Sequence, residues 1–185
     1  MEDNKAATQT PVEPVAMTDE QKFFFDLKGW ILLPSVLTPA QTEAAKAEVY
    51  AGAKNSYQGV LQDLIDHPAI TGILDELLAE PPFVTQDHYG FRFEGSFTTV
   101  RPSGWSKDQR GDNGLPHAVR PPQQANAMRY QVAGGKIFSG LTRVVWELEE
   151  VKAGMGGTTF LSGSHKAHFN YGGPSPYAPN IAGSP

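Results

Sequence analysis

The chain changes character near Pro82, and this change constrains its fold more than any other feature. Before Pro82 the sequence has helix-forming patterns with recognisable start signals. After Pro82 it is rich in aromatic and β-branched residues, which favour strands. Helices first and strands afterwards predict an α+β fold, mainly β, with N-terminal helices followed by an antiparallel sheet or jelly roll.

Two helices are predicted from their start signals. Thr18 with Gln21, and Thr38 with Gln41, have the spacing of capping boxes, in which side chains and backbone N–H groups satisfy one another. Gly29 predicts the end of the first helix, because glycine readily adopts the left-handed conformation that ends many helices. The second helix is predicted to run to about residue 54.

A third helix is predicted from about Pro68 to Leu78, where apolar residues recur at helical spacing. This stripe is interpreted as core packing, and His67 as a cap or a surface residue. The stripe consists of Ile70, Ile73, Leu74, Leu77 and Leu78.

Several strands are predicted from short apolar or alternating runs. One is a buried strand ahead of the second helix, and a hairpin is predicted around Gly134-Gly135. Residues 101–126 hold many Gly, Pro, Asp and Asn and are predicted to form a long loop. The predicted strands cover residues 30–33, 83–100, 127–132, 136 onward, 144–148 and 158–161.

The domain organisation follows from these patterns. Residues 1–16 lack periodicity and are predicted to be a disordered tail, and residues 17–170 to form one partial jelly-roll domain. Residues 171–185 are predicted to be a loop leading to C-terminal strands that the chain lacks, because nine of the sixteen residues from Asn170 to Pro185 are Gly, Pro or Ser.

Composition narrows the class of protein. The absence of cysteine excludes disulfides and a cysteine zinc site. A net charge of −5 argues against nucleic acid as a partner. No apolar run approaches the roughly 20 residues that span a bilayer, and the N-terminus has no signal-peptide pattern, so we expect a cytoplasmic protein without a membrane partner.

The charge is unevenly distributed. From Arg92 to Arg143 there are eight Lys or Arg against three Asp or Glu, whereas the remainder has seven against seventeen. A basic centre would suit an anionic small molecule. Arginines that happen to lie in loops explain the same count equally well.

Five histidines are present, and none is followed two residues later by Asp or Glu. His117 lies at the end of the long loop, ahead of the predicted core strands, where a jelly roll places metal ligands. Two histidines and one carboxylate hold iron with positions left open for small molecules. From the residues alone, His117 is either a metal ligand or a surface residue. His165 is either a ligand or part of a turn capped by Ser164.

Two stretches of the sequence have distinctive patterns, residues 17–21, 25, 29–34 and 37–41 in the first, and 146–151, 156–158, 160–161 and 163–166 in the second. Both are similar to the phytanoyl-CoA dioxygenase family. The first resembles the family's opening helix, strand and helix. The second, which ends in Gly163-Ser164-His165-Lys166, resembles its strand, glycine-containing turn and Gly-Ser/Thr-His-Lys segment, in the same order.

The resemblance implies a double-stranded β-helix (jelly roll) and a non-haem Fe(II), 2-oxoglutarate-dependent dioxygenase that hydroxylates a small-molecule substrate. His117 falls at the family's first metal histidine, but Val119 stands where the family has Asp. Related halogenases also lack that carboxylate, although they have a small residue there. The distal histidine and the 2-oxoglutarate arginine would lie beyond Pro185, since no His follows His168 and no Arg follows Arg143.

The leading hypothesis is therefore that the chain is a fragment of an oxygenase and is inactive by itself. A metal-free jelly-roll protein that binds a small molecule is the alternative, and Val119 in place of Asp favours it. A cupin-like metal isomerase would need two or more histidines close together on one strand, which this spacing does not supply.

Overall fold

The computed structural model describes residues 14–79, 84–86, 88–100, 129–152, 158 and 160–166. Helices come first and short strands follow, in the order that the sequence predicts. The elements are α1 (Asp19–Lys28), α2 (Pro39–Tyr50), a 3-10 helix (Gly59–Leu64), α3 (Pro68–Leu78), β1 (Val84–Thr85), β2 (His88–Tyr89), β3 (Tyr130–Ala133), β4 (Lys136–Ser139) and a 3-10 turn (Ser164–Lys166).

Both predicted capping boxes are confirmed. The Thr18 hydroxyl accepts from the Gln21 N–H at 3.1 Å, and the Gln21 side chain accepts from the Thr18 N–H at 2.8 Å. Thr38 and Gln41 make the same exchange at the start of α2, with Pro39 in the first turn. These contacts satisfy N–H groups that have no partner within the helix.

The ends of α1 and α2 depend on glycine. Gly29 has φ 83°, and its N–H donates to the Phe25 carbonyl at 2.7 Å, as predicted. Helix α2 ends at Tyr50, a few residues earlier than predicted, and Gly52 follows with φ 100°. A side chain is strained at these φ values, so glycine is the favoured residue at both positions.

Helix α3 has the predicted bounds, and its apolar stripe is buried, with Leu78 partly buried. His67 is its N-cap: Nδ1 accepts from the Ala69 N–H at 3.2 Å. Gly72 lies on a second face of α3 and is also buried. A Cβ at this position would lie 2.5 Å from the Val15 carbonyl oxygen. The chain ahead of α1 therefore packs directly on α3.

Among the described residues, two clusters of buried apolar side chains form the core. The first joins α1, α3 and β3 through Phe25, Leu77 and Tyr130, together with Met17 and Ile73. The second joins α2 to the 3-10 helix through Ala45, Leu61 and Leu64, and Trp146 and Leu148 pack against it. Residues far apart in sequence thus share both clusters with the N-terminal helices.

The described strands form two separate antiparallel pairs. β1 pairs with β2, and β3 pairs with β4, in a register that places Val132 opposite Ile137. Gly134 and Gly135 connect β3 to β4 with φ values of 58° and 77°, so the predicted hairpin is confirmed. The hairpin packs on α3, where the Lys136 ammonium donates to the Ala79 carbonyl at 2.9 Å.

The predicted strands at residues 30–33 and 144–148 are wrong, because the structure assigns neither to a strand. Among the described residues of the predicted run 83–100, only Val84–Thr85 and His88–Tyr89 form strands. Leu32 is 72% exposed, so the run at residues 30–33 is not buried as expected. Side chains of residues 30–33 and 144–148 pack against the two core clusters. The Thr98 N–H donates to the carbonyl of Lys54, in the loop after α2, at 3.0 Å.

The remaining expectations about the fold stay predictions. The predicted long loop (101–126) and the C-terminal segment (171–185) lie outside the described residues, as does most of the predicted tail. The jelly roll also stays a prediction, because the described strands comprise two small sheets. Within the described residues, no helix is both long enough and apolar enough to cross a bilayer.

Candidate functional site

The predicted metal ligand, His117, lies outside the described residues, and so does Val119. His67 caps α3 and its ring lies edge-on to Trp146 at 5.5 Å. His88 is exposed, and its Nδ1 accepts from the Gly90 N–H at 2.8 Å. His165 differs from both, because it lies in a cluster of ionisable side chains.

This cluster, called here the Asp26 cluster, consists of Asp26, Tyr130, His165 and Lys166. It joins α1, β3 and the 3-10 turn. The Asp26 carboxylate accepts from the Tyr130 hydroxyl at 2.7 Å and lies 3.0 Å from the Lys166 ammonium. The His165 ring is edge-on to Tyr130, with ring centroids 4.5 Å apart.

The turn at residues 163–166 caps α1 from a distant part of the sequence. The last carbonyl groups of a helix have no partner within it. Here the Gly163 N–H donates to the Lys28 carbonyl at 2.9 Å, and His165 Nε2 lies 3.0 Å from the Asp26 carbonyl oxygen. Gly29 satisfies the Phe25 carbonyl. The positive charge of Lys166 at this end also complements the helix dipole.

Aromatic contacts also hold the segment ahead of this turn against the residues that follow α1. The Trp30 ring stacks on Phe160 with centroids 5.6 Å apart. Its Nε1–H donates to the Ser162 hydroxyl at 3.3 Å. The segment after Gly29 therefore packs against residues 160–162 in place of the strand pairing expected for it.

The hydrogen bonds of His165 define its tautomer. Because Nε2 faces a carbonyl oxygen, Nε2 carries the proton and Nδ1 has the lone pair. Nδ1 is buried and makes no hydrogen bond in the described part of the chain. Burial lowers the pKa of the imidazole below its usual range, and the bond to the Asp26 carbonyl opposes this in part.

The pKa values of the Asp26 carboxyl and the Tyr130 hydroxyl shift in opposite directions. The hydrogen bond from Tyr130, followed by that from Lys166, lowers the pKa of the Asp26 carboxyl. Burial, together with the hydrogen bond to Asp26, raises the pKa of the Tyr130 hydroxyl well above its usual range. Near neutral pH the cluster therefore holds an ionised carboxylate, a neutral phenol and a neutral imidazole.

Gly29 leaves the space that His165 occupies. A Cβ at position 29 would lie 2.3 Å from His165 Nδ1, closer than any non-bonded contact allows. Position 29 therefore requires glycine both for its positive φ and for the approach of the imidazole.

The Asp26 cluster is suited to holding the turn on α1 rather than to binding a metal. The described residues contain no group of three His, Asp or Glu side chains that could hold a metal ion. By themselves they do not fit an iron centre, and they support no catalytic step through iron. The turn interpretation of His165 agrees with this geometry.

The sequence did not identify Asp26 or Tyr130 as partners of His165. The available signal was the Gly29 stop, which marks the helix end whose carbonyl groups need partners. Comparison of the chain with protein-family models, curated proteins and solved structures gives no match.

Proposed function

We propose that the chain is part of a non-haem Fe(II), 2-oxoglutarate-dependent dioxygenase of the phytanoyl-CoA dioxygenase type, with His117 as a metal ligand and a small molecule as substrate. The observation that carries the proposal is that the two stretches resembling this family lie against each other. His165, in the second stretch, caps the helix formed by the first.

Two further contacts join the N-terminal elements, including the helix α2 that the first stretch begins, to the region of the second stretch. Trp30 donates to Ser162 at 3.3 Å, and the Tyr50 hydroxyl, at the end of α2, donates to the Glu149 carboxylate at 2.9 Å. The partners are 132 and 99 positions apart. Contacts of this kind support the proposal because the family requires the opening helices and the later segment to belong to one domain.

The proposal places most of the metal site outside the described residues. His117 supplies one imidazole, and Val119 supplies no ligand. The remaining ligands and the 2-oxoglutarate arginine are expected from chain beyond residue 185 or from a second chain. We therefore expect weak Fe(II) binding by residues 1–185.

The second candidate is a metal-free protein that binds an anionic small molecule. Val119 favours it, because the position lacks the carboxylate that iron would need. The excess of Lys and Arg between residues 92 and 143 suits an anion. For this candidate, the basic centre alone would supply the charges that bind the anion.

Calorimetric titration of 2-oxoglutarate under anaerobic conditions separates the candidates. The oxygenase proposal expects heat of binding only when Fe(II) is present, and its loss in His117→Ala. His88→Ala is the matched control, because His88 is an exposed histidine with a local hydrogen bond. Binding of equal strength in EDTA would favour the metal-free protein. If neither this chain nor one extended past residue 185 binds 2-oxoglutarate in the presence of Fe(II), the oxygenase proposal fails.

A further inference from the structure

Helix α1 has a second apolar face, directed away from the core. Phe25 is buried on the inner face, whereas Phe23 is 63% and Leu27 54% exposed. With Phe24, these residues recur at the three- and four-residue spacing that places side chains on one face of a helix. Glu20 and Lys28 continue the same spacing at either end. We call residues 20, 23, 24, 27 and 28 the outer stripe.

The charges on α1 divide between the two faces. Lys22 pairs with Glu76 at 2.7 Å and Asp26 with Lys166 at 3.0 Å, so both ion pairs lie within the domain. Glu20 has no ion pair within the described residues. Lys28 lies over the rings of Phe24 at 4.5 Å and Trp30 at 5.1 Å. The outer stripe thus has an acidic end and a basic end.

The geometry is self-complementary. Glu20 and Lys28 are eight residues apart with Phe24 midway, which corresponds to about 12 Å along the helix at ~1.5 Å per residue. A two-fold axis near Phe24 would place each Glu20 beside the Lys28 of the other copy. A parallel arrangement would place like charges together instead.

We propose that the outer stripe is an interface at which α1 pairs antiparallel with α1 of a second copy of this chain. The pairing buries Phe23, Phe24 and Leu27, and it forms two Glu20–Lys28 ion pairs. Antiparallel packing also sets the positive end of each helix dipole beside the negative end of the other.

A groove beside the stripe gives the interface a place for an aromatic side chain. It measures about 280 Å³ and lies between α1 and the segment after it, with walls that include Phe24, Trp30 and Leu32. Leu32 is 72% exposed and extends the apolar surface. We assign this groove to the partner's Phe23.

The proposal is independent of the dioxygenase proposal, since no residue of the outer stripe belongs to the metal site. The contact is small, because it depends on one helix of ten residues. Sedimentation equilibrium from about 5 µM to about 1 mM covers the weak association, on the order of 100 µM, that a small interface gives.

The first test replaces an exposed apolar side chain of the stripe with a charged one. The unaltered chain should shift from monomer to dimer within this range, and Leu27→Glu should remain monomeric. Far-UV circular dichroism of Leu27→Glu should match that of the unaltered chain, since Leu27 lies outside the core. A chain that is monomeric throughout the range would overturn the proposal.

The second test uses charge. Glu20→Lys and Lys28→Glu should each weaken association, whereas an equimolar mixture of the two chains should associate as well as the unaltered protein. Glu147→Lys and Lys54→Glu are matched controls, since they make the same charge changes at exposed positions outside the stripe. Mixing that fails to restore association, or controls that weaken it equally, would contradict antiparallel pairing.

Discussion

His165 Nε2 lies 3.0 Å from the Asp26 carbonyl oxygen, a contact that spans 139 positions and caps α1. The helix end thus depends on a turn from the far end of the described chain. Gly29, Tyr130 and Lys166 all lie around this contact. It leads to three predictions about stability.

Gly29→Ala should destabilise the protein more than Gly52→Ala. Both glycines have positive φ, but only Gly29 is in contact with His165, since nothing lies within 4 Å of a Cβ at position 52. The left-handed conformation costs about 1–2 kcal/mol for alanine at either site. Displacement of His165 should add about 1–3 kcal/mol at position 29. Urea denaturation measures both changes, and equal losses would show that the turn does not pack on Gly29.

Tyr130→Phe should raise the pKa of the Asp26 carboxyl, because the Tyr130 hydrogen bond is the main cause of its lowering. The ring keeps its place in the core. The loss of unfolding free energy should be about 1 kcal/mol, since a hydrogen bond to a half-exposed carboxylate is partly screened.

An NMR pH titration of the Asp26 side-chain carbon measures this pKa. Tyr50→Phe is the matched control: it removes a hydroxyl bonded to Glu149 at an exposed position and should leave Asp26 unchanged. An unchanged Asp26 pKa in Tyr130→Phe would contradict the described hydrogen bond.

His165 should make the protein less stable in mild acid. Its pKa is lowered in the folded state, so the neutral form is favoured there. Its contribution is complete above the unfolded-state pKa of about 6.5 and is lost as the pH falls from there through the folded-state value. Protonation would place a charge on the buried Nδ1, beside the positive Lys166.

His165→Gln retains an N–H donor for the Asp26 carbonyl but does not titrate. Between pH 7.5 and 5, its unfolding free energy should fall less than that of the unaltered protein. The comparison removes the effect of groups common to both proteins, and Asp26 titrates below this range because its pKa is lowered. If the unfolding free energies of the two proteins change equally with pH, the pKa of His165 is the same in the folded and unfolded states, which would contradict the prediction.

The N-terminal helices could be predicted from sequence because their signals are local. Thr18 with Gln21, and Thr38 with Gln41, specify their starts within four residues, and the α3 stripe has a helical period. The hairpin at Gly134-Gly135 is local in the same way. These elements agree with the structure.

The strands outside the hairpin could not be predicted reliably from sequence. A strand requires a hydrogen-bonded partner strand, and its own residues do not specify that partner. Residues 30–33 have the apolar composition of a buried strand, but Trp30 packs on Phe160 and Leu32 is exposed. The Asp26 cluster was missed for the same reason. Its members lie on three segments, and only the tertiary fold brings Tyr130 and His165 to α1.

The visible absorption of an Fe(II)–2-oxoglutarate chelate tests the proposed function most directly. Under anaerobic conditions, a chain extended past residue 185 should show the charge-transfer band, and residues 1–185 should show it weakly. His117→Ala should abolish the band, and His88→Ala should preserve it. A band that persists in His117→Ala would contradict the assignment of His117 as a ligand, and its absence from the extended chain would contradict the dioxygenase proposal itself.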